Sequence, residues 1–218
     1  IRWRFQLASK NQVRALIGPA ASFMTFTLSN ALSIQGITLL VGHLLGPVAV
    51  AIFNTYRTIS RVALLITSTL GNSVWAEFSR LYATGGMPAV APLFHRAYRI
   101  STATSVGLSL VLLVIAPFLL KYWSRNQIDF QFGLMALMLA YAAVAGSWNV
   151  ARVLLMSINN HTNLSRLAMG SAVAALAVSF PLGSLFGLNG IAAGLVLIET
   201  AMAFACIRAA RHQLGPKK

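Results

Sequence analysis

The 218-residue chain is 57% hydrophobic and only 9% charged, with a mean hydropathy of +0.74. A water-soluble domain carries about 25% charged residues, so this composition cannot cover a water-facing surface and indicates an all-α integral membrane protein. The net charge of +14 comes from 17 Lys and Arg against Glu77, Asp129 and Glu199, but the cations separate apolar runs and form no continuous basic face, which argues against nucleic acid as a partner.

Six spans are predicted, each near or above the roughly 20 residues that cross a bilayer as a helix. The first runs over about Leu16–Leu45 and ends at Gly46-Pro47, a pair that breaks an otherwise unbroken apolar stretch. The second covers Val48–Trp75. Glu77–Arg99, with Gly85-Gly86, Pro88 and Pro92, reads as a loop containing a short interfacial helix. The third span is Ile100–Leu120, followed by Tyr122 and Trp123 as interfacial aromatics. The fourth is Phe130–Ala151, the fifth runs from Leu167 to the Phe186-Gly187 break, and the sixth is Gly190–Ile207. Gly183/Gly187 and Gly190/Gly194 have the spacing of helix-packing glycines.

Charge orients this six-helix bundle. With a cytoplasmic N-terminus, one side collects a basic lead-in (residues 1–14), the cations of the Arg80–Arg99 loop, Arg152, Arg166 and a basic tail (residues 208–218). The other side collects only Lys121 and Arg125. The positive-inside rule therefore puts both ends in the cytoplasm. The chain opens at Ile1 with no short apolar leader, and it is expected to be one piece of a longer protein.

Arg57 and Arg61 belong to neither side. Arg57 lies eleven residues past Gly46, about 16 Å along a helix and near the middle of a hydrocarbon core about 30 Å thick. Burying such a cation costs about 2.5–3.5 kcal/mol on insertion scales, so both need a compensating environment. At 100° per residue, Asn54, Arg57, Thr58, Arg61, Ser68, Thr69 and Asn72 share about a third of the helix circumference. Two readings stand. The arginines pair with acids on neighbouring helices and fix the packing, or they line a water-filled cavity of positive potential for a phosphate or pyrophosphate.

Other polar residues are similarly double-edged. Glu199 is a counter-ion to the arginine face or a protonation site coupled to transport. Glu77 and Arg80, at i,i+3, form a gate or a plain surface pair. Asn30, Ser33 and Gln35 line the same cavity or make interhelical hydrogen bonds. Cys206 is the single cysteine, and the four histidines show no metal-ligand spacing. No nucleophile elbow, Walker motif or paired carboxylates are present, so neither a metal, a cofactor nor an enzyme activity is expected.

"LGPVAVAIFNTYRTISRV" followed by "NSVWAEFSRLYATGG" resembles polysaccharide-biosynthesis flippases of the MATE-like superfamily, where a glycine turn leads into a long helix with a P-E-x-S-R-L-x-x-x-G-like end. Glu77, Ser79, Arg80, Leu81 and Gly85 carry the match, and Ala76 stands where proline is expected. "SINNHTNLSRLAMGSA" and "FGLNGIAAGLVLIE" are similar to later hairpins of that family. The resemblance implies two six-helix bundles around a central cavity, this chain being the C-terminal one and an N-terminal bundle its missing partner. It also implies a multi-pass protein of the bacterial cytoplasmic (inner) membrane that moves undecaprenyl-pyrophosphate-linked oligosaccharide outward for O-antigen or exopolysaccharide synthesis. A polysaccharide polymerase and a chain-length regulator would then be partners beside membrane lipid. The residues expected to contact substrate are Arg57, Arg61, Asn54, Thr58, Ser68 and Asn72. A drug-exporting antiporter, which would want acidic cavity residues, and a non-transporting scaffold are the alternatives.

Overall fold

The computed structural model describes residues 24–158 and 161–214. The basic lead-in, the start of the predicted first span and the last four residues of the tail lie outside the described residues.

Every element within them is helical. A helical turn over 24–31 runs into a π-helical segment, Leu32–Gly36, and then into α1 (Ile37–Ser73). Val74 separates α1 from α2 (Trp75–Trp123), and α3 (Phe132–Ser157) and α4 (His161–Leu214) follow. Three stretches are long and apolar enough to cross a membrane: Met24–Trp123, Phe132–Ser157 and Leu164–Leu214. Together with the outward-facing Leu39, Val114, Phe118, Leu185 and Phe204, all well exposed, they describe a membrane-spanning helical protein, since such a lipid-like surface is avoided in water.

At 1.5 Å per residue, α1, α2 and α4 are each longer than a bilayer core is thick, and each is interrupted at a glycine. Gly46 (φ 83°, ψ 177°), Gly86 (φ 64°, ψ −160°) and Gly187 (φ 60°, ψ −140°) adopt a backbone conformation that only glycine reaches cheaply. Pro47 and Pro88 fall in the first turn of the restarting helix, where a missing N–H is harmless. The predicted loop at Glu77–Arg99 is instead helical on both sides of Gly86. The two prolines and the glycine pair that suggest a loop supply one bend and one helix start.

The breaks at Gly46 and Gly187 create hairpins, with Arg57 reaching back to Ile34 across the first and Ser179 bonding to the Ile191 carbonyl across the second. Leu44 packs near Gly183, and a Cβ added at Gly133 would lie 3.7 Å from Asn189 Oδ1, so the bends at Gly46 and Gly187 and the turn between α2 and α3 occupy one end of the bundle. Tyr56 ties that turn down: its hydroxyl donates to the Asp129 carbonyl at 3.0 Å and accepts from the Gln131 N–H at 2.7 Å. Gly190 and Gly194 pack against Leu182 and Ser179 across the Gly187 bend.

Two apolar cores form, one towards each end. Phe53, Tyr56, Leu120, Leu134 and Ile191 belong to the first, and Phe78, Phe94, Leu154, Leu164 and Cys206 to the second. α3 runs through both and touches every other helix. Between them lies a buried polar layer of Ser60, Thr67, Ser101, Ser105 and Asn149. Here Ser101 donates to the Gly146 carbonyl and Ser105 to Ala142, each at 3.2 Å.

Candidate functional site

A cavity of about 320 Å³ opens at this polar layer between α1, α3, α4 and the π-helical segment. Arg57, Arg61, Arg152, Tyr141, Trp148 and Glu199 supply its chemistry.

Arg57 projects from the part of α1 that follows Gly46, with Asn54 one turn before it. Its Nη2 donates to Asn54 Oδ1 at 2.7 Å and to Thr38 Oγ1 at 3.0 Å, and its Nη1 donates to the Ile34 carbonyl at 3.0 Å. The guanidinium also lies over the Phe53 ring, 5.5 Å from its centroid. Ile34 sits in the π-helical segment, whose wider winding is the kind of helix defect that recurs at functional sites. All these partners are neutral, so they fix the position of the cation and leave its charge in place. Arg61, one turn further on, is exposed and lines the same cavity.

Glu199 stands across the cavity on α4, where its Oε1 accepts from Trp148 Nε1 at 2.8 Å. Tyr141, on α3, lines the cavity with Arg57, Arg61 and Glu199. Arg152 completes the set. Its Nη2 donates to Asn149 Oδ1 at 2.5 Å, and its guanidinium lies 5.9 Å from the centroid of the Phe26 ring. Asn149 in turn donates to the Thr67 carbonyl at 3.4 Å. Among the described residues, one ion pair falls within 4.0 Å, and it is Arg80–Glu77, outside this cavity. Three guanidiniums therefore share the cavity with one carboxylate and pair closely with none.

Glycines make the space. A Cβ on Gly146 would collide with the Ser105 hydroxyl, and one on Gly71 with the Asn149 amide. Helix crossings this close are typical of membrane bundles, where small residues let backbones approach.

Arg57, Arg61, Ser68 and Glu199, all picked from the sequence, meet at this cavity, together with Asn30 and Ser33. Asn54 stands behind Arg57 as its hydrogen-bond partner. Thr58 and Asn72 are exposed and outside the lining, Gln35 likewise, because a wedge of a third of a helix is wider than the strip that faces the opening. Thr58 donates to its own helix at the Asn54 carbonyl, 2.8 Å away. Glu77 and Arg80 form an exposed pair on α2 with Arg80 Nε to Glu77 Oε2 at 2.9 Å, away from the cavity.

Arg152 is placed differently from its sequence reading as a loop cation. α3 continues to Ser157, and the side chain folds back towards Asn149 and into the bundle. The run "SWNVAR" holds the signal: Trp148, Asn149 and Arg152 recur at helical spacing on one face.

No protein-family description, curated protein or solved structure matches the chain.

Proposed function

We propose that this chain is one six-span bundle of an alternating-access transporter that carries undecaprenyl-pyrophosphate-linked oligosaccharide across the bacterial cytoplasmic membrane for surface polysaccharide synthesis. The observation that carries the reading is three guanidiniums lining one cavity among apolar helices, two of them (Arg57 and Arg152) held by neutral partners, with a single carboxylate in the same lining. Leaving cations uncompensated inside a membrane is costly, and residues placed at that cost mark ligand pathways by default. The missing counter-charge is then the ligand. A guanidinium presents a planar fork of donors that matches phosphate oxygens in bidentate fashion, so a diphosphate suits the site better than a diffuse anion.

Six crossings are proposed by reading the bends at Gly46 and Gly187 as reversals within the three long apolar stretches. Gly46 and Gly187 each reverse a helix between crossings, and Gly86 separates a short interfacial helix (residues 75–85) from the next crossing. Both ends are then cytoplasmic, as the positive-inside rule requires. In operation the arginines attract the diphosphate, the polar side chains Ser68, Asn30 and Ser33 border the glycan, and the isoprenoid tail stays in lipid. Rocking against a second bundle exposes the cavity to each leaflet in turn. An organic-cation substrate fits poorly, since the cavity repels it.

Complementation of a flippase-deficient strain with the full-length protein tests this. Arg57→Ala and Arg61→Ala should each lower glycan export severely, while the Lys variants should retain part of it because charge survives and the bidentate fork does not. Wild-type export from a stably inserted Arg57→Ala/Arg61→Ala protein would overturn the proposal.

A further inference from the structure

We propose that Arg152 forms a second anion-binding station in this cavity, separate from Arg57 and Arg61, which holds the phosphate-bearing group at a different stage of its passage. The inference rests on the anion-transporting function proposed above.

Two helices serve as rulers. Phe26 lies under Arg152, and the Ile34 carbonyl accepts from Arg57. Eight residues of one helical rod separate them, about 12 Å at 1.5 Å per residue. On α1, Asn149, which holds Arg152, bonds to the Thr67 carbonyl, ten residues beyond Arg57, or about 15 Å. Arg61, the nearer member of the first station, is still six residues from Thr67, about 9 Å along the helix, and a diphosphate, which joins its two phosphoryl groups through one bridging oxygen, is too short to reach from Arg57 to Arg152. Glu199 lines the same cavity from α4, with its Oε1 held by Trp148.

Arg152 is also equipped to bind. Of the five N–H donors of a guanidinium, one hydrogen bond from Arg152 is seen among the described residues, to Asn149. Arg57 engages three acceptors. A structural role for Arg152 would call for a close pair with Glu199, but no such pair forms within 4.0 Å, and Glu199 Oε1 is taken by Trp148. Arg152 lies nearer the α3–α4 turn, the cytoplasmic end in the proposed orientation. Of the three arginines that line the cavity, it is therefore the first an arriving anion meets.

Calorimetric titration of the full-length protein in lipid nanodiscs with inorganic pyrophosphate at low salt tests the inference. Wild type should show two binding events. Arg152→Gln should remove one or weaken it at least about tenfold, and Arg57→Gln/Arg61→Gln should remove the other. Arg152→Lys should restore the first event in weakened form. Two unchanged events in Arg152→Gln would overturn the second station. So would one wild-type event that the double variant abolishes and Arg152→Gln spares, which leaves the proposed function standing. No wild-type binding at all would bring down both. Should Arg152→Gln fail to fold, Arg152→Lys decides: weakening of one event supports the station, and two unchanged events overturn it.

Discussion

Arg57 and Arg61 differ in how tightly the protein holds them, and that difference has measurable consequences. Arg57 satisfies the Ile34 carbonyl, Thr38 and Asn54 and lies over Phe53, so Arg57→Ala strips partners from partly buried polar groups. A loss of roughly 1–3 kcal/mol is expected, visible as a lower Tm in detergent. Among the described residues no hydrogen bond or ion pair reaches Arg61. Arg61→Ala should leave stability within about 0.5 kcal/mol while pyrophosphate binding weakens. Equal destabilisation by both variants would contradict this division of labour. These two residues were legible in the sequence because a cation deep in an apolar run has no cheap explanation. Arg152 was not, since a cation near the end of such a run is also what membrane topology puts at a loop. Only the continuation of α3 to Ser157 and the turn of its guanidinium towards Asn149 separate the two cases.

The bends dictate what the helices can do. Gly46 and Gly187 have positive φ with an extended ψ, and nothing lies within 4 Å of an added Cβ at either. Gly46→Ala or Gly187→Ala should therefore cost about 1–3 kcal/mol through backbone strain alone. Gly107, inside α2 with equally open surroundings and ordinary helical geometry, makes the control: Gly107→Ala should be neutral or stabilising by up to about 1 kcal/mol. Thermal unfolding of the three variants separates conformational strain from space. Tyr56→Phe removes the hydroxyl that anchors the α2–α3 turn, and faster amide exchange at Gln131 should follow. Gly46-Pro47 was readable as a break from its residue types. Glu77–Arg99 was misleading because the same types, in Gly86 and Pro88, interrupt the chain for one residue and then begin a helix. Residue type marks an interruption, but only the packing of Phe78, Val90 and Phe94 in the second core decides that its flanks are helical.

At the scale of the whole molecule, two apolar cores enclose a polar layer, and the cavity lies where they leave a gap. Overpacking that layer should be felt throughout: Gly146→Val pushes α2 from α3 at Ser105, with an expected cost of about 1–3 kcal/mol or more and a lower yield of folded protein. The membrane class was evident from composition alone. The position of the cavity depends on which faces of the helices meet, which periodicity along one helix cannot reveal, and so Tyr141 emerges only from the fold, as does the opening that Trp148 and Asn149 face.

The central claim is that water reaches cations inside the bundle. Ser68, two turns along α1 from Arg61, lines the cavity, whereas Val62 and Ile66 on the same helix are exposed on the apolar surface outside it. Single cysteines at the three positions, against the buried Cys206, can be challenged with a membrane-impermeant thiol reagent in intact membranes. The account predicts rapid labelling of Ser68→Cys that pyrophosphate slows, and no labelling of Val62→Cys or Ile66→Cys. Ser68→Cys as inert as Ile66→Cys would contradict it.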